Sequence, residues 1–577
     1  MDESLDSLVV TPRFKKWKIA SPDQQIVDRL QTELNIHPTL CRLLAIRGIN
    51  DFESARLFFR PSLDHLHNPF LMKDMDKAVE RIQQAIGRGE KIMVYGDYDV
   101  DGTTAVALMY TYLKRFTENL IYYVPDRYKE GYGISIAGID WAAENGCRLI
   151  VALDCGIKAQ DKVKYALDKG IDFIICDHHL PDATLPAAVA VLDPKRPDCE
   201  YPYKELSGCG IGFKLAQALC LKNGGNMQEV YDLLDLVVVS TAADIVPITG
   251  ENRVLSHFGL AKVNSNPRPG LKALMITAGV KEDRQLDITD LVFTVGPRIN
   301  AAGRIRHGLY AVELLVETDP EIALEKAKAV SENNTERQNL DKEITEEALE
   351  MIKSNVHLHD RKTTVLFQPH WHKGVIGIVA SRLIEHYHRP TIVLTESNGL
   401  AVGSGRSVPG FDLHAAIDAC SHLLEQFGGH KFAAGISLKI ENLEAFTEYF
   451  EAVVESRIEE EMLQPFIDVD AEIELEDINL KFYDIIEQMG PFGPGNMKPV
   501  FVTRGVSDAG YTRLVGNDHL KLHVGKPGQG TRNGIGFGMW DYIPYIRSKK
   551  TFDICYQMYI NEWNGSKNVE IRLKDLQ

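Results

Sequence analysis

The sequence predicts an α/β protein with a doubly wound parallel-sheet domain, a long linking helix, a second α/β lobe and a C-terminal all-β barrel. Three observations predict it. Between Lys91 and Asp193 short β-rich runs alternate with helix-length segments. From Pro320 to Ser354 the chain is a charged, Glu- and Lys-rich helical stretch with no interruption. Beyond Ile467 strand-like runs follow one another, divided by Gly and Pro. A chain of 577 residues also exceeds what one hydrophobic core serves, so several domains are expected.

Residues 1–75 carry helical signals at Ile26–Leu34 and Thr39–Ile46 and an ESARLFF turn, and read as a small N-terminal cap. The α/β domain, 76–318, is built on KIMVY (91–95), IYYVP (121–125), RLIVALD (148–154), DFIICD (172–177) and VAVLD (189–193). Helical patterns at 104–115, 135–145 and 159–169 separate these strands, which fixes the handedness of the crossovers and covers both sheet faces. A mainly helical region leads into the connecting helix, 319–355. The second lobe, 356–460, runs TTVLF, GVIGIVASRLIEHY, PTIVLT and LAVGSGRS. FVTRGV, HLKLHV, GIGFGMW and FDICYQMYI make the barrel, 465–577.

Composition restricts function. A net charge of −17 is unlike the basic surface of a nucleic-acid binder, yet residues 498–577 hold 12 Lys and Arg against 7 Asp and Glu, so a local binding surface stays open. Nine cysteines without a CxxC pair argue against a disulfide framework and a structural zinc site, and for a reducing, cytoplasmic setting. The acidic start MDESLDSLVV is unlike a signal peptide, and no apolar run is long enough to span a bilayer.

The stretch DYDVDGTT (97–104) places Asp97, Asp99 and Asp101 where the first strand runs out. Like charges so close cost free energy unless a cation offsets them, although an Asp-Gly corner alone would be an ordinary turn. In a doubly wound sheet the ligand site lies beyond the carboxyl ends of the strands. The residues there are Asp154 in ALDCG and Asp177, His178 and His179 in CDHHLP, with Asp244 in STAADIVP ending the apolar run Leu233–Val239. Carboxylates and imidazoles from separate strand ends thus converge on one edge. Singly, each reads as well as a helix cap or a hydrogen-bonded histidine. Together they form a mixed O/N donor set suited to Mn²⁺ or Mg²⁺, two of which would serve phosphoryl displacement.

DYDVDGTT, ALDCG, DHH and AADIVP in this order resemble the DHH phosphoesterase superfamily. PDRYKEGYG (125–133), GPRINAAGR (296–304), HWHKGVIGIVASR (370–382), GSGRS (403–407) and FGGHKFAAG (427–435) narrow the likeness to its RecJ family, single-strand-specific 5′→3′ DNA exonucleases. The resemblance runs from about residue 40 to the end. It implies a DHH domain, a DHH-associated lobe and an OB-like barrel. It further implies that Asp99, Asp101, Asp154, His178 and Asp244 hold two metal ions, with Asp97 in or just behind them. His179, the catalytic candidate, would likewise lie in or just behind them, or instead steady a phosphate oxygen. Tyr95 departs from superfamily pyrophosphatases, which place a His there.

By the same resemblance Arg127, Ser404 and Arg406 bind the 5′-terminal phosphate, Tyr132 stacks on a base and His430 contacts DNA. Asn300 would contact a phosphate or orient a water, while Arg298 and Arg304 would stabilise charge on the scissile phosphate or narrow the entrance. Read from its residues alone, GSGRS favours a glycine-rich turn with an ion-paired arginine, and His430 is equally a structural histidine. Arg513, Lys521, Arg532, Tyr511 and Phe537 are candidates for strand binding by the barrel. The function implied is release of 5′ mononucleotides from single-stranded DNA in repair and recombination. A monomer working with a helicase and a single-strand-binding protein, away from membranes, is expected. The alternative is a phosphodiesterase for short oligonucleotides or cyclic dinucleotides, against which the barrel argues. A catalytically dead scaffold would have lost carboxylates that are all present.

Overall fold

A computed structural model describes residues 14–305, 307–563 and 565–577, so the acidic N-terminal stretch lies outside the described residues. The chain divides into two compact units, one of residues 63–463 and one that joins the first 62 residues to 464–577.

The larger unit is built on a five-stranded parallel sheet of β1 (Lys91–Gly96), β2 (Leu120–Tyr123), β3 (Cys147–Leu153), β4 (Asp172–Cys176) and β5 (Ala190–Leu192), in the order β2-β1-β3-β4-β5. Each strand is a near-continuous apolar run because both faces are covered. On one face Ile92, Val94, Leu149 and Val151 pack with α1 (Val100–Leu113), α2 (Gly208–Asn223) and α3 (Leu234–Ala243). On the other, Met93, Tyr95, Ile150 and Phe173 pack with the helices Ile136–Glu144 and Gln160–Asp168. The doubly wound expectation therefore holds strand by strand.

After α4 (Gly296–Ile305), α5 (Pro320–Ser354) runs without a break for 35 residues, about 50 Å of helix. Asp319 starts it by accepting hydrogen bonds from the amides of Glu321 and Ile322. Its first turns bury Ala323, Ala327 and Val330 in the core of the parallel-sheet domain, and its last turns bury Ile344, Ala348 and Ile352 with the second lobe. One helix thus ties both lobes together. The second lobe is a mixed sheet of β6 (Thr364–Phe367), β7 (Thr391–Ser397), β8 (Leu400–Arg406), β9 (Gln426–His430) and β10 (Ala433–Lys439), in the order β9-β10-β8-β7-β6, with α6 (Ile376–Tyr387) against it.

In the other unit β11 (Phe501–Asp508), β12 (His519–Lys526), β13 (Gly530–Gly536), β14 (Phe552–Trp563) and β15 (Ser566–Leu576) close into a barrel. The ring runs β11-β14-β15-β13-β12 and returns to β11 through Ser507 opposite Gly525. Helices Gln24–Leu34, Pro38–Ile46 and Phe52–Phe59 put Leu30, Leu40, Leu43, Leu44 and Phe58 into the core that holds Phe482, Phe501, Leu520 and Tyr556. Strand Lys16–Ile19 pairs in parallel with Phe466–Val469.

Three expectations are corrected. The ESARLFF segment is a full helix, Phe52–Phe59, begun by a reciprocal cap between Asp51 and Ser54. Asp244 is delivered by the C-terminus of α3, not by a strand end. Because α3 is buried all round it shows no helical periodicity, and its apolar run imitates a strand. Gly403 to Arg406 lie inside β8 rather than in a turn. A Cβ on Gly403 would come within 2.7 Å of Leu394, so that glycine serves packing beneath the strand.

Candidate metal centre and phosphate cleft

Gly96, Leu153, Cys176 and Leu192 are register partners across β1, β3, β4 and β5, and each is followed by an aspartate. The sheet therefore ends in a row of Asp97, Asp154, Asp177 and Asp193, all buried. Asp154 adopts a left-handed backbone (φ 59°), which turns its carboxylate in against α2. Close approach requires glycine there, since a Cβ on Gly208 would stand 2.5 Å from the Asp154 Cβ.

Asp101, in the first turn of α1, is held by three donors. Its carboxylate accepts from the amides of Gly208 (2.6 Å) and Cys209 (2.7 Å) at the start of α2, and from the Ser240 hydroxyl of α3 (2.7 Å). Asp99 caps α1 by accepting from the Gly102 amide. Asp97 accepts from the Gly133 amide with one oxygen, while its other oxygen is buried without a partner among the described residues. His178 is buried, and neither ring nitrogen has a hydrogen-bond partner among those residues. Its Nε2 lies 3.2 Å from Asp154 Oδ1, 3.6 Å from Asp244 Oδ2 and 3.7 Å from Asp101 Oδ2. Two overlapping groups result, Asp154–His178–His179 and Asp101–His178–Asp244, each with its donor atoms within 4.8 Å of one another.

The electrostatics follow from this crowding. Burial, with Asp101, Asp99, Asp244 and Asp97 around it, holds the Asp154 carboxyl well above the usual range. Burial and Asp99 do the same to Asp97, and burial and Asp101 raise Asp99. Asp244 is pushed up to about 8 by burial and by Asp101 and Asp99. Burial lowers His178, keeping a neutral imidazole with a lone pair. Carboxyls that resist ionisation together, and a buried histidine with both nitrogens free of hydrogen bonds, fit divalent cations of the Mn²⁺ and Mg²⁺ kind.

Asp177, which the sequence counts among the converging donors, is instead the organiser of the DHH turn, with both its oxygens engaged by neighbouring donors. Its Oδ1 accepts from the amides of His178 and His179 and from His179 Nδ1 (2.7 Å), and its Oδ2 accepts from the Ile157 amide. Despite burial, these contacts hold Asp177 down at about 2. Burial works against the charge on His179 as well, but the Asp177 ion pair raises it to about 9. The Nε2 of His179 stands 3.1 Å from the Tyr132 hydroxyl, and the exposed Tyr132 ring packs edge-on against Tyr98. Tyr95 is not at the centre: its buried hydroxyl donates to the Gly133 carbonyl and accepts from the Ser135 amide.

Two adjoining cavities flank the centre. One, of about 960 Å³, is lined by Asp99, Tyr132, Lys158, Asp177, His179 and His430. The other, of about 480 Å³, is lined by Arg127, Arg304, Lys373, Ser404 and Arg406. Tyr98, Gly428 and Gly435 line both. In the second cavity Arg127 lies over the Tyr98 ring (4.7 Å), Arg406 Nη1 donates to Ser404 Oγ (2.7 Å), and Arg304 Nη1 donates to the Gly374 carbonyl (2.9 Å). Burial, then Arg127, Arg337 and Arg406, lowers Arg304 to about 10. Arg127 is thus brought to Ser404 and Arg406, far away in sequence, and Arg304 joins them in lining the cationic cavity. Arg298 donates to the Thr294 carbonyl (2.6 Å), and neither it nor Asn300 lines either cavity. Lys373 and Tyr98 were given no role in the sequence, although each lies inside a motif that was read, HWHKGVIGIVASR and DYDVDGTT. On the barrel, Tyr511 and Phe537 are exposed, whereas Lys521 pairs with Glu570 and Arg532 donates to the Ile478 carbonyl.

Residues 91–241 match the DHH family N-terminal domain, 360–456 the DHHA1 domain and 469–575 the RecJ OB domain. The chain is 37% identical over 565 residues to the single-stranded-DNA-specific exonuclease RecJ of Bacillus subtilis (strain 168), covering 97% of this chain and 70% of that one. It is 34% identical to the RecJ of Dickeya dadantii (strain 3937), covering 95% of this chain and 97% of that one. A crystal structure of RecJ from Thermus thermophilus in complex with Mn²⁺ superposes with a TM-score of 0.83 at 25% identity, over 97% of this chain and 79% of that one. With this order of domains and likeness at this length, the chain belongs to the RecJ family.

Proposed function

We propose that this protein is a single-stranded-DNA-specific exonuclease that removes 5′ mononucleotides in the 5′→3′ direction by metal-dependent phosphodiester hydrolysis. The observation that carries the reading is that a cationic cavity shares Tyr98, Gly428 and Gly435 with the cavity beside the carboxylate–histidine cluster. Asp99, Asp101, Asp154, His178 and Asp244, with Asp97 behind them, would hold two Mn²⁺ or Mg²⁺ ions. Bound there, such ions supply an activated water and neutralise charge on the phosphate. The remaining work belongs to the protein. Arg127, Ser404 and Arg406 receive the 5′-terminal phosphate, and the fork of Arg406 suits its oxygens. Arg304 adds positive charge to the same wall. His179, kept protonated by Asp177, presents Nε2–H where Tyr132 now meets it, ready for a phosphate oxygen. Tyr132 and His430 line the path of the strand. Arg298 and Asn300 are left with a supporting role on α4.

The labour divides as a DHH catalytic domain (76–318), a connecting helix (319–355), a DHH-associated lobe (356–460) and a strand-binding barrel (465–577) behind an N-terminal cap (1–75). A helicase and a single-strand-binding protein would supply and present the strand to a cytoplasmic monomer. No helix among the described residues is long and apolar enough to cross a membrane. The test is digestion of 5′-phosphorylated single strands with Mn²⁺ or Mg²⁺. A label in the terminal 5′ nucleotide is released first as a mononucleotide, and a 3′ label last. Consumption from the 3′ end would overturn the reading.

A further inference from the structure

The cleft-facing side of the second lobe holds two glycines that its own fold does not require. Along β10, Ala434, Ile436 and Leu438 enter the core, while Ala433, Gly435 and Ser437 face the other way. In register, Gly428 of β9, Gly435 of β10 and Ser404 of β8 stand side by side. His430, Ala433 and Arg406 form the next row on that face. Neither Gly428 nor Gly435 has a positive φ, and a Cβ built on either meets no atom within 4 Å. Gly429 differs: its φ is 144° and a Cβ there would strike the Ala433 carbonyl oxygen at 2.3 Å.

A strand interior is a poor place for glycine, because it orders a flexible residue and offers no side chain to pack. Where backbone geometry and neighbouring atoms both permit a side chain, the bare backbone points to a ligand that comes close. Both residues line the cationic cavity and also the cavity of the carboxylate–histidine cluster. In a DNA strand the group between a terminal phosphate and the first phosphodiester is one nucleoside. We propose that the base of the 5′-terminal nucleotide lies flat on the peptide planes of the Gly428–Gly435 pair, which positions the first phosphodiester at the carboxylate–histidine cluster. The inference rests on the cationic cavity being the seat of the terminal phosphate. Backbone planes accept any base face, so the floor is blind to sequence, as a general exonuclease requires. These are positioning residues, acting by leaving room.

Gly435→Ala and Gly435→Val test the floor in the full-length protein, using short 5′-phosphorylated single strands. Both variants should melt no lower than the parent, because the site has space and β-branched residues favour strands. Gly435→Val should raise KM at least about tenfold with kcat within about threefold, a loss of uniform binding, and Gly435→Ala should raise it less. On strands whose 5′-terminal nucleotide is phosphorylated but abasic, the KM difference between Gly435→Val and parent should fall below about threefold. An unchanged KM on ordinary strands, a lowered melting temperature, or a loss that persists on abasic ends would each overturn the proposal. Arg406→Ala is assayed in parallel on 5′-phosphate and 5′-hydroxyl ends. Equal impairment on both would overturn the phosphate seat itself, a failure distinct from that of the floor.

Discussion

Asp101 and Asp154 are neighbours in one cluster, yet they are held differently. Asp154 makes its close approach to His178, while Asp101 satisfies two amides and a hydroxyl around the start of α2. Asp154→Ala should abolish cleavage and leave the metal-free melting temperature unchanged or higher, since it removes one of several crowded charges. Asp101→Ala should abolish cleavage and also cost about 2–4 kcal/mol of stability, because buried donors lose their acceptor. Calorimetry of the two variants separates these outcomes, and near-normal turnover of either in saturating Mn²⁺ would sink the metal assignment. The cluster also sets a pH dependence. A carboxyl raised in the folded state, such as Asp244 at about 8, weakens the metal-free protein as pH climbs from its unfolded value near 4 towards 8. His179 adds to that decline: its contribution is complete below about 6.5 and is lost as pH passes about 9. Asp177 works in the opposite direction, giving stability above about 4 that disappears as pH falls through about 2. Divalent cations reverse the first effect by taking the place of protons. The rise in melting temperature on adding Mn²⁺ should therefore be larger at pH 8 than at pH 6, and an equal rise at both would contradict it.

Among elements, the parallel strands were legible because a strand covered on both faces is written as a short apolar run, and all five such runs are strands. The same rule misled at α3, where burial erased the helical period and Asp244 was assigned to a strand end. The glycines of β8 imitated a phosphate-binding loop because sequence cannot distinguish a glycine that bends the chain from one that lets Leu394 pack. The carboxylate–histidine cluster was nevertheless readable, since four of the five strands hand an aspartate to the same edge. Arg304 was not, because its neighbours Arg127 and Arg406 come from distant segments. The partner of the N-terminal helices was equally hidden. Leu30, Leu40, Leu43, Leu44 and Phe58 are completed by Phe482, Phe501 and Tyr556, more than 400 positions away. Deletion of 464–577 alone should therefore strand those helices and give an aggregating protein. Removal of 1–62 as well should leave a monomeric 63–463 that still hydrolyses short strands while losing affinity for long ones. Size-exclusion chromatography and paired assays on short and long strands check this. Equal losses at both lengths would mean that the barrel sustains the active site.

For the molecule as a whole, a net charge of −17 opposes any DNA strand, so binding has to rest on a few local contacts. Arg127, Arg304, Lys373 and Arg406 gather around one cavity, and the strand end that carries the most charge is a 5′ phosphate. If that end is seated there, cleavage is measured from it, and a paired end has to open before its strand can enter. Blunt duplex should then be a poor substrate, and a helicase should relieve the block. Arg406→Ala removes a charge-assisted hydrogen bond worth about 1.5–3 kcal/mol, or about ten- to a hundredfold in affinity. The loss should be largest on 5′-phosphorylated strands and smaller on 5′-hydroxyl strands. Because each phosphate contact releases condensed counterions, the salt dependence of binding should also flatten, by about 0.7 in the logarithmic slope for a single strand. A neutral packing role for Arg406 would lower affinity without altering that slope. Binding titrations over a range of salt concentrations, on both kinds of 5′ end, decide between them, and an unchanged slope would place the terminal phosphate elsewhere.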